Sequence, residues 1–233
     1  MIGVIVPAHD EAQSIGRCLA AIATAAADPQ LQGEEVLVVV ALDACSDGTG
    51  AICAAHGVAT VAVDARCVGS ARAAAATFAL ALGARWIAST DADTVVPPDW
   101  LSRQVSCGAD AFCGVVGVGD WLDYPDRVRR AFAEREVARD GHRHIHGANL
   151  GVSAPAYVAA GGFAQLHTGE DVALVDAIAR SGARIAWLAR PAVATSARRT
   201  ARAEHGFSSF LRALEREVVG TGAGLLPSRM VPE

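Results

Sequence analysis

The chain opens with apolar runs that alternate with segments of helical period. Ile2 to Val6 is a continuous apolar run stopped by Pro7 and predicts a buried strand. Glu11 to Ala27 places Ile15, Leu19 and Ile22 on one face, which predicts a helix. Val36 to Leu42 is a second strand, ended by Asp43-Ala-Cys-Ser-Asp-Gly48, where Ser46 and Asp47 offer caps for a helix over 48–56. Val58 to Val63 predicts a third strand, Gly69 to Gly83 an alanine-rich helix, and Arg85 to Thr90 a fourth strand running into Asp91-Ala92-Asp93. Further on, the pattern predicts helices over 97–107, 125–140, 155–160, 169–181 and 205–219, with strands over 111–118, 149–153 and 184–188. Trp100 and Trp187 fall at core positions.

Strands alternating with helices indicate an α/β fold, a mostly parallel sheet covered on both faces with right-handed crossovers. Ligands in such sheets bind beyond the carboxyl ends of the strands. Three of those ends carry acidic loops here: His9-Asp-Glu11, Asp43 to Asp47, and Asp91 to Asp93.

Composition narrows the class. A chain of 233 residues, 52% hydrophobic and 19% charged, is a folded single domain rather than a disordered one. A net charge of −5 argues against nucleic-acid binding, while the basic residues between Arg180 and Arg216 leave open a peripheral contact with an anionic membrane surface. The six cysteines lack CxxC spacing and read as reduced thiols, which places the protein in the cytoplasm. No apolar stretch reaches the roughly 18 residues that span a bilayer, and the start has no basic region of a signal peptide. The Gly- and Pro-containing segment 220–233 is expected to be a mobile tail.

In an extended segment Asp91 and Asp93 point the same way. Two carboxylates so placed repel unless a cation compensates them, and hard oxygen ligands suit Mg²⁺ or Mn²⁺, which bind phosphates at the same time. The plainer alternative is a capped turn before Pro97.

At this point a resemblance becomes visible. Val4-Ile-Val-Pro-Ala-His-Asp-Glu11 resembles the opening of family 2 glycosyltransferases, Asp43 to Thr49 their aspartate-rich Gly-Thr segment, Gly69-Ser-Ala-Arg72 the stretch before their third helix, and Asp91-Ala-Asp93 their DxD. Gly161-Gly-Phe163 followed by Glu170-Asp171 resembles their G-G-F…E-D pair. The resemblance implies a GT-A fold, with a nucleotide-binding half over about 1–95 and an acceptor-binding half over about 96–219. It implies a metal-dependent transfer of a sugar from a nucleotide-diphosphate-sugar donor to a hydroxyl acceptor.

Carried over residue by residue, Pro7, Ala8, His9 and Glu11 would wall the base and ribose, and Asp43 would hydrogen-bond the base. Arg72 would meet the base or a phosphate, Asp91 and Ala92 would face the ribose or metal waters, and Asp93 would ligate the metal. Asp171, beside Glu170 at a helix start, would be the general base of an inverting reaction. In a retaining enzyme acting on a small phosphorylated or carboxylated acceptor, Asp171 would orient that acceptor instead; a sugar-nucleotide-binding module without catalysis is the third reading. His9-Asp10 and Leu42-Asp43 depart from the family pattern and touch the base pocket.

His142-Arg-His-Ile-His146 is histidine-dense. Alternating histidines on a strand share a face and suit zinc, yet no matching cysteine or carboxylate frame is near in sequence. The preferred reading uses Gly147-Ala-Asn149, which resembles the family segment beside the donor sugar, with Asn149 and His146 on sugar hydroxyls. His205 is the late histidine expected as a third metal ligand, Arg198 and Arg199 are expected to meet the diphosphate, and Trp121 to stack on a sugar face. Gly114-Val-Val-Gly-Val-Gly119 looks like a dinucleotide fingerprint, but it lies late in the chain and does not open a helix.

Overall fold

The N-terminal apolar run lies near the middle of a seven-stranded sheet. In the computed structural model, which describes residues 1–136, 138–199 and 206–220, the elements run β1 (Ile2–Ala8), α1 (Ile15–Ala26), β2 (Val36–Asp43), α2 (Thr49–Ala55), β3 (Ala59–Val63), α3 (Val68–Ala81), β4 (Trp86–Ser89), α4 (Trp100–Val105), β5 (Ala111–Asp120), α5 (Asp126–Arg135), β6 (Leu150–Ser153), α6 (Ala154–Ala159), α7 (Glu170–Arg180), β7 (Ile185–Ser196) and α8 (Phe207–Gly220). The strand order is β3-β2-β1-β4-β6-β5-β7. The first four strands of that order are parallel. β6 is antiparallel to both of its neighbours, and β5 and β7 are parallel.

Period-two geometry splits β1 between two cores. Val4 and Val6 pack with Ile15, Leu19 and Ile22 of α1 and with Trp100 of α4. Ile5 faces the other way, onto Ala71, Ala75 and Ala79 of α3 and toward the cluster that holds Leu174 and Ile178 of α7. Each fully buried leucine or isoleucine here contributes about 1.5–3 kcal/mol relative to exposure. A smaller cluster joins Val128 and Phe132 of α5 to Leu211 and Leu214 of α8.

Several boundaries differ from the sequence reading, and β1 runs through Pro7 to Ala8. α1 begins at Ile15 rather than Glu11, because the Glu11 carboxylate accepts from the Ser14 hydroxyl (2.7 Å) and its N–H goes to the Thr49 hydroxyl (2.8 Å). Ser46 does not cap α2: its N–H donates to Asp10 (2.7 Å), while Asp47 receives the Thr49 N–H (2.9 Å). α5 stops at Arg135, short of Asp140. β7 does not end at Leu188 but runs on to Ser196. Pro191 has no N–H to give, and the ladder with β5 resumes after a register shift between Gly114 and Val116. Trp187 is only partly buried, with the Arg143 guanidinium 5.0 Å from its ring, whereas Trp100 is wholly inside. No helix among the described residues is long and apolar enough to cross a membrane.

Candidate active site

The carboxyl ends of β1, β2 and β4 open into one cleft of about 760 Å³, which is also lined by Asp171 and Arg198. Its first wall is built by β1 and β2. The Asp43 carboxylate accepts the backbone N–H groups of Ala65 (2.8 Å), Arg66 (2.8 Å) and Cys67 (2.7 Å) and so ties the loop after β3 to the tip of β2. Those bonds fill three of about four acceptor positions on the carboxylate, leaving one for a ligand. His9 Nδ1 lies 2.7 Å from the Asp43 carbonyl. A carbonyl only accepts, so Nδ1 carries a proton in this contact.

β4 delivers the paired aspartates. Asp91 has 38% of its side chain exposed, whereas Asp93 has 11%. The Asp91 carbonyl receives the Cys18 thiol of α1 (3.3 Å), and Val95 bridges to Ala194 of β7. Burial pushes the Asp93 carboxyl up to about 6, against the pull of Arg198. Arg198 lies 3.4 Å from Asp93 and 2.7 Å from the Glu11 carboxylate. Its guanidinium therefore supplies the positive charge that these two buried acids require. Thr195 of β7 donates to Asp93 (3.3 Å).

The second chemical group sits where α3 meets α7. Arg72 is buried and ion-paired to both Asp91 and Glu170, with Ser89 as a third partner at 3.2 Å. Burial opposes its charged form, but Asp91, Glu170 and Asp171 outweigh that and raise its pKa above the ordinary arginine value. Burial pushes the Glu170 carboxyl up while Arg72 pulls it down. Asp171 accepts the Gly147 N–H (2.7 Å) on one oxygen and the Val172 N–H (2.8 Å) on the other. Both bonds fix its orientation and leave a lone pair on each oxygen for a substrate proton. Gly147 has a steric reason as well: a Cβ there would stand 2.5 Å from the Arg72 guanidinium.

Several residues expected at the site are placed elsewhere. Asn149 is wholly buried. Its Oδ1 accepts from Trp100 Nε1 (2.9 Å) and its Nδ2 donates to the carbonyls of Val115 (2.9 Å) and Pro191 (2.9 Å). It is a core clamp between α4, β5 and β7 and cannot reach a sugar. Asn149→Ala should lower stability by about 2–4 kcal/mol, since it strands three buried polar groups; the shift of a urea unfolding midpoint checks this. Trp121 packs edge-on against Phe132 (5.2 Å between centroids) and does not line the cleft. Arg199 is held by Asp123 (2.8 Å) and Glu215 (2.6 Å), outside the cleft lining. Glu170 does line the cleft beside Asp171, but its carboxylate is paired to the buried Arg72. His205 and segment 221–233 lie outside the described residues.

The glycine run at 114–119 is part of β5, and a Cβ at Gly114 would meet Asn149 Nδ2 at 2.2 Å. Thr195, Gly147 and Glu136 are among the cleft residues that escaped the sequence reading. Thr195 reaches Asp93 only because β7 continues past Pro191, Gly147 acts through its N–H, and Glu136 comes into the wall where α5 ends early. Of these, only Gly147 carried a signal in the sequence, as the glycine of the Gly-Ala-Asn run.

Asp91 and Asp93 present carboxylate oxygens, the hard ligands that Mg²⁺ or Mn²⁺ takes, and beside them Arg72 and Arg198 supply the positive charge.

Comparison with curated proteins finds no match. Among solved structures the chain is similar to the S. aureus TarS 1–349 complex with UDP-GlcNAc, at 15% identity and a TM-score of 0.65, covering 94% of this chain and 66% of that one. It thus spans just under two thirds of that TarS fragment. A mannosyltransferase from Pyrobaculum calidifontis in complex with GDP-Man and Mn²⁺ is 20% identical, with a TM-score of 0.59 over 97% of this chain and 76% of its own. Glucosyl-3-phosphoglycerate synthase from Mycobacterium tuberculosis, in complex with Mn²⁺, UDP and phosphoglyceric acid, is 19% identical, with a TM-score of 0.57 over 98% and 80%. At such identities the likeness is one of fold, and the shared fold is GT-A. The family model for glycosyl transferase family 2 matches residues 3–149, more than half of the sequence and the whole stretch from the first strand through the paired aspartates to Asn149. The chain belongs to glycosyl transferase family 2.

Proposed function

We propose that this cleft transfers a sugar from a nucleotide-diphosphate-sugar donor to a hydroxyl acceptor with inversion, and that Asp171 is the general base. The observation that carries the reading is the opening of Asp91, Asp93 and Asp171 into the same cleft. The complexes of the similar proteins with UDP-GlcNAc or with GDP-Man and Mn²⁺ support the donor class. The half over about 1–95 takes the nucleotide, with Pro7, Ala8, His9 and the free position of Asp43 beside the base. The half over about 96–219 takes the acceptor. Asp91 and Asp93 would hold Mg²⁺ or Mn²⁺, which when bound offsets the negative charge of the diphosphate. Arg198, already beside Asp93, turns its guanidinium toward the same anionic group. Asp171, fixed by Gly147 and Val172, takes the proton of the acceptor hydroxyl as its oxygen attacks the anomeric carbon.

Asp171→Asn keeps the size and hydrogen-bonding reach of the side chain and removes its basicity. It is expected to lower kcat by about 10²–10⁴-fold with donor affinity unchanged by calorimetry. The product of the wild-type enzyme should carry the inverted anomeric configuration by NMR. A retained configuration, or a variant as fast as wild type, rules out the base role; donor binding without any turnover identifies a binding module.

A further inference from the structure

The wall opposite in chemistry to the paired aspartates is nitrogen-rich. We propose that Glu136, His144 and His146 form a second metal site, specific for Zn²⁺ rather than for the hard cations that oxygen ligands select. One ligand atom from each of the three residues lies within 4.8 Å of the others. Glu136 Oε2 is 3.2 Å from His144 Nδ1 and 3.9 Å from His146 Nε2. Nitrogen and oxygen ligands about 2.0–2.2 Å from a tetrahedral zinc stand roughly 3.3–3.5 Å apart, so the two separations bracket the spacing that zinc imposes. Only small side-chain movements would close the set.

The arrangement is built rather than incidental. Glu136 is the residue at which α5 ends. His144 and His146, two apart, stack with centroids 6.1 Å apart and planes within 11°. His142 stacks on the other side of His144 at 5.5 Å. Its Nδ1 accepts the His144 N–H at 3.1 Å, and its Nε2 faces the Leu188 carbonyl at 3.3 Å. That pairing occupies both nitrogens of His142, which makes it a brace for the segment and not a ligand. The Nε2 of His146, in contrast, is buried and has no hydrogen-bond partner. At 3.9 Å Glu136 is within ion-pair range but too far for a hydrogen bond, and a buried imidazole nitrogen without a hydrogen bond is costly unless something satisfies it. A cation shared with Glu136 would do so.

Two imidazoles and a carboxylate suit zinc, and three protein ligands leave a fourth position. Glu136 and His146 line the cleft that Asp171 also lines, and Gly147, next in sequence to His146, holds the Asp171 carboxylate. The fourth position is therefore available to an oxygen of an acceptor, a hydroxyl, carboxylate or phosphate, bound beside the proposed base. This inference stands on its own ligand set and does not require the donor chemistry.

The test uses the full chain without an affinity tag, stripped by chelator, in the absence of any nucleotide. Cobalt serves as the visible probe. Wild type is expected to take up one equivalent of Co²⁺ with the intense visible bands of a low-coordinate nitrogen–oxygen site, and Zn²⁺ should displace it. Asp93→Asn should keep those bands. Glu136→Gln and the double variant His144→Ala/His146→Ala should each weaken Co²⁺ and Zn²⁺ affinity by about a hundredfold or more, with circular dichroism showing the fold intact. The proposal is overturned if wild type shows no such bands, if the double variant keeps them, or if Asp93→Asn loses them. Should the double variant fail to fold, the wild-type spectrum and Glu136→Gln decide alone. Because no sugar nucleotide is present, failure here leaves the transferase reading untouched, and failure of sugar transfer leaves this site untouched.

Discussion

Replacing Asp93 by asparagine is expected to lower kcat/KM for sugar transfer by about a thousandfold while making the ligand-free protein more stable. The two effects have one cause. Burial has raised the Asp93 carboxyl from 3.8 to about 6, and that difference corresponds to about 3 kcal/mol against the ionised form. The sign follows from proton linkage. Between those two values the native state binds a proton that the unfolded chain does not, so stability falls as pH rises toward 6 and the full penalty is present above it. Asparagine removes the buried charge yet keeps an oxygen for the Thr195 hydroxyl, and Arg198 keeps Glu11. Near neutral pH the variant should melt about 6–12 °C higher than wild type, and the gap should close as pH is lowered through 6. In catalysis the same substitution removes an anionic ligand, and several kcal/mol of charge stabilisation is worth about a thousandfold in rate. Thermal scans with and without Mn²⁺ and donor check both parts. A variant that melts lower than wild type without ligand, or that retains the ligand-dependent rise, would contradict the account.

Arg72→Met should be the most destabilising single change at the site, by about 3–5 kcal/mol. Methionine fills most of the volume but leaves Glu170 buried without its cation, and it releases Asp91 and Ser89. The double variant Arg72→Met/Glu170→Gln removes the orphaned charge and should recover at least half of the loss. Equal losses in the single and double variants would show that packing, not charge, is the cause. The single variant should also gain stability as pH falls. Its Glu170 carboxyl, already pushed up by burial, rises further without Arg72, so the native state then takes up the proton that relieves it. Denaturant midpoints measured across that range read the effect directly. Activity should fall in parallel, because Arg72 positions Asp91 at the mouth of the cleft.

Much of this protein can be read from short windows of its chain. Continuous apolar runs such as Val36 to Leu42 read as strands of a covered parallel sheet, and the alanines of Gly69 to Gly83 as a helix packed closely on it. The acidic tips follow because they sit at the carboxyl ends of those runs, where a parallel sheet opens. These are local consequences of periodicity, and the sequence determined them. Tertiary structure alone decided how each polar side chain is spent. Asn149 stands beside a cleft residue in the sequence yet is locked among Trp100, Val115 and Pro191, and Glu170, which lines the cleft, is paired to Arg72. Thr195 and Arg198 reach Asp93, from a hundred residues away, only because β7 continues beyond Pro191. Glu136 meets His144 and His146 only because α5 stops at Arg135. The reason is physical: periodicity records which face of an element is apolar, whereas a hydrogen-bond or ion-pair partner is set by which distant segments the packed core brings within about 3 Å.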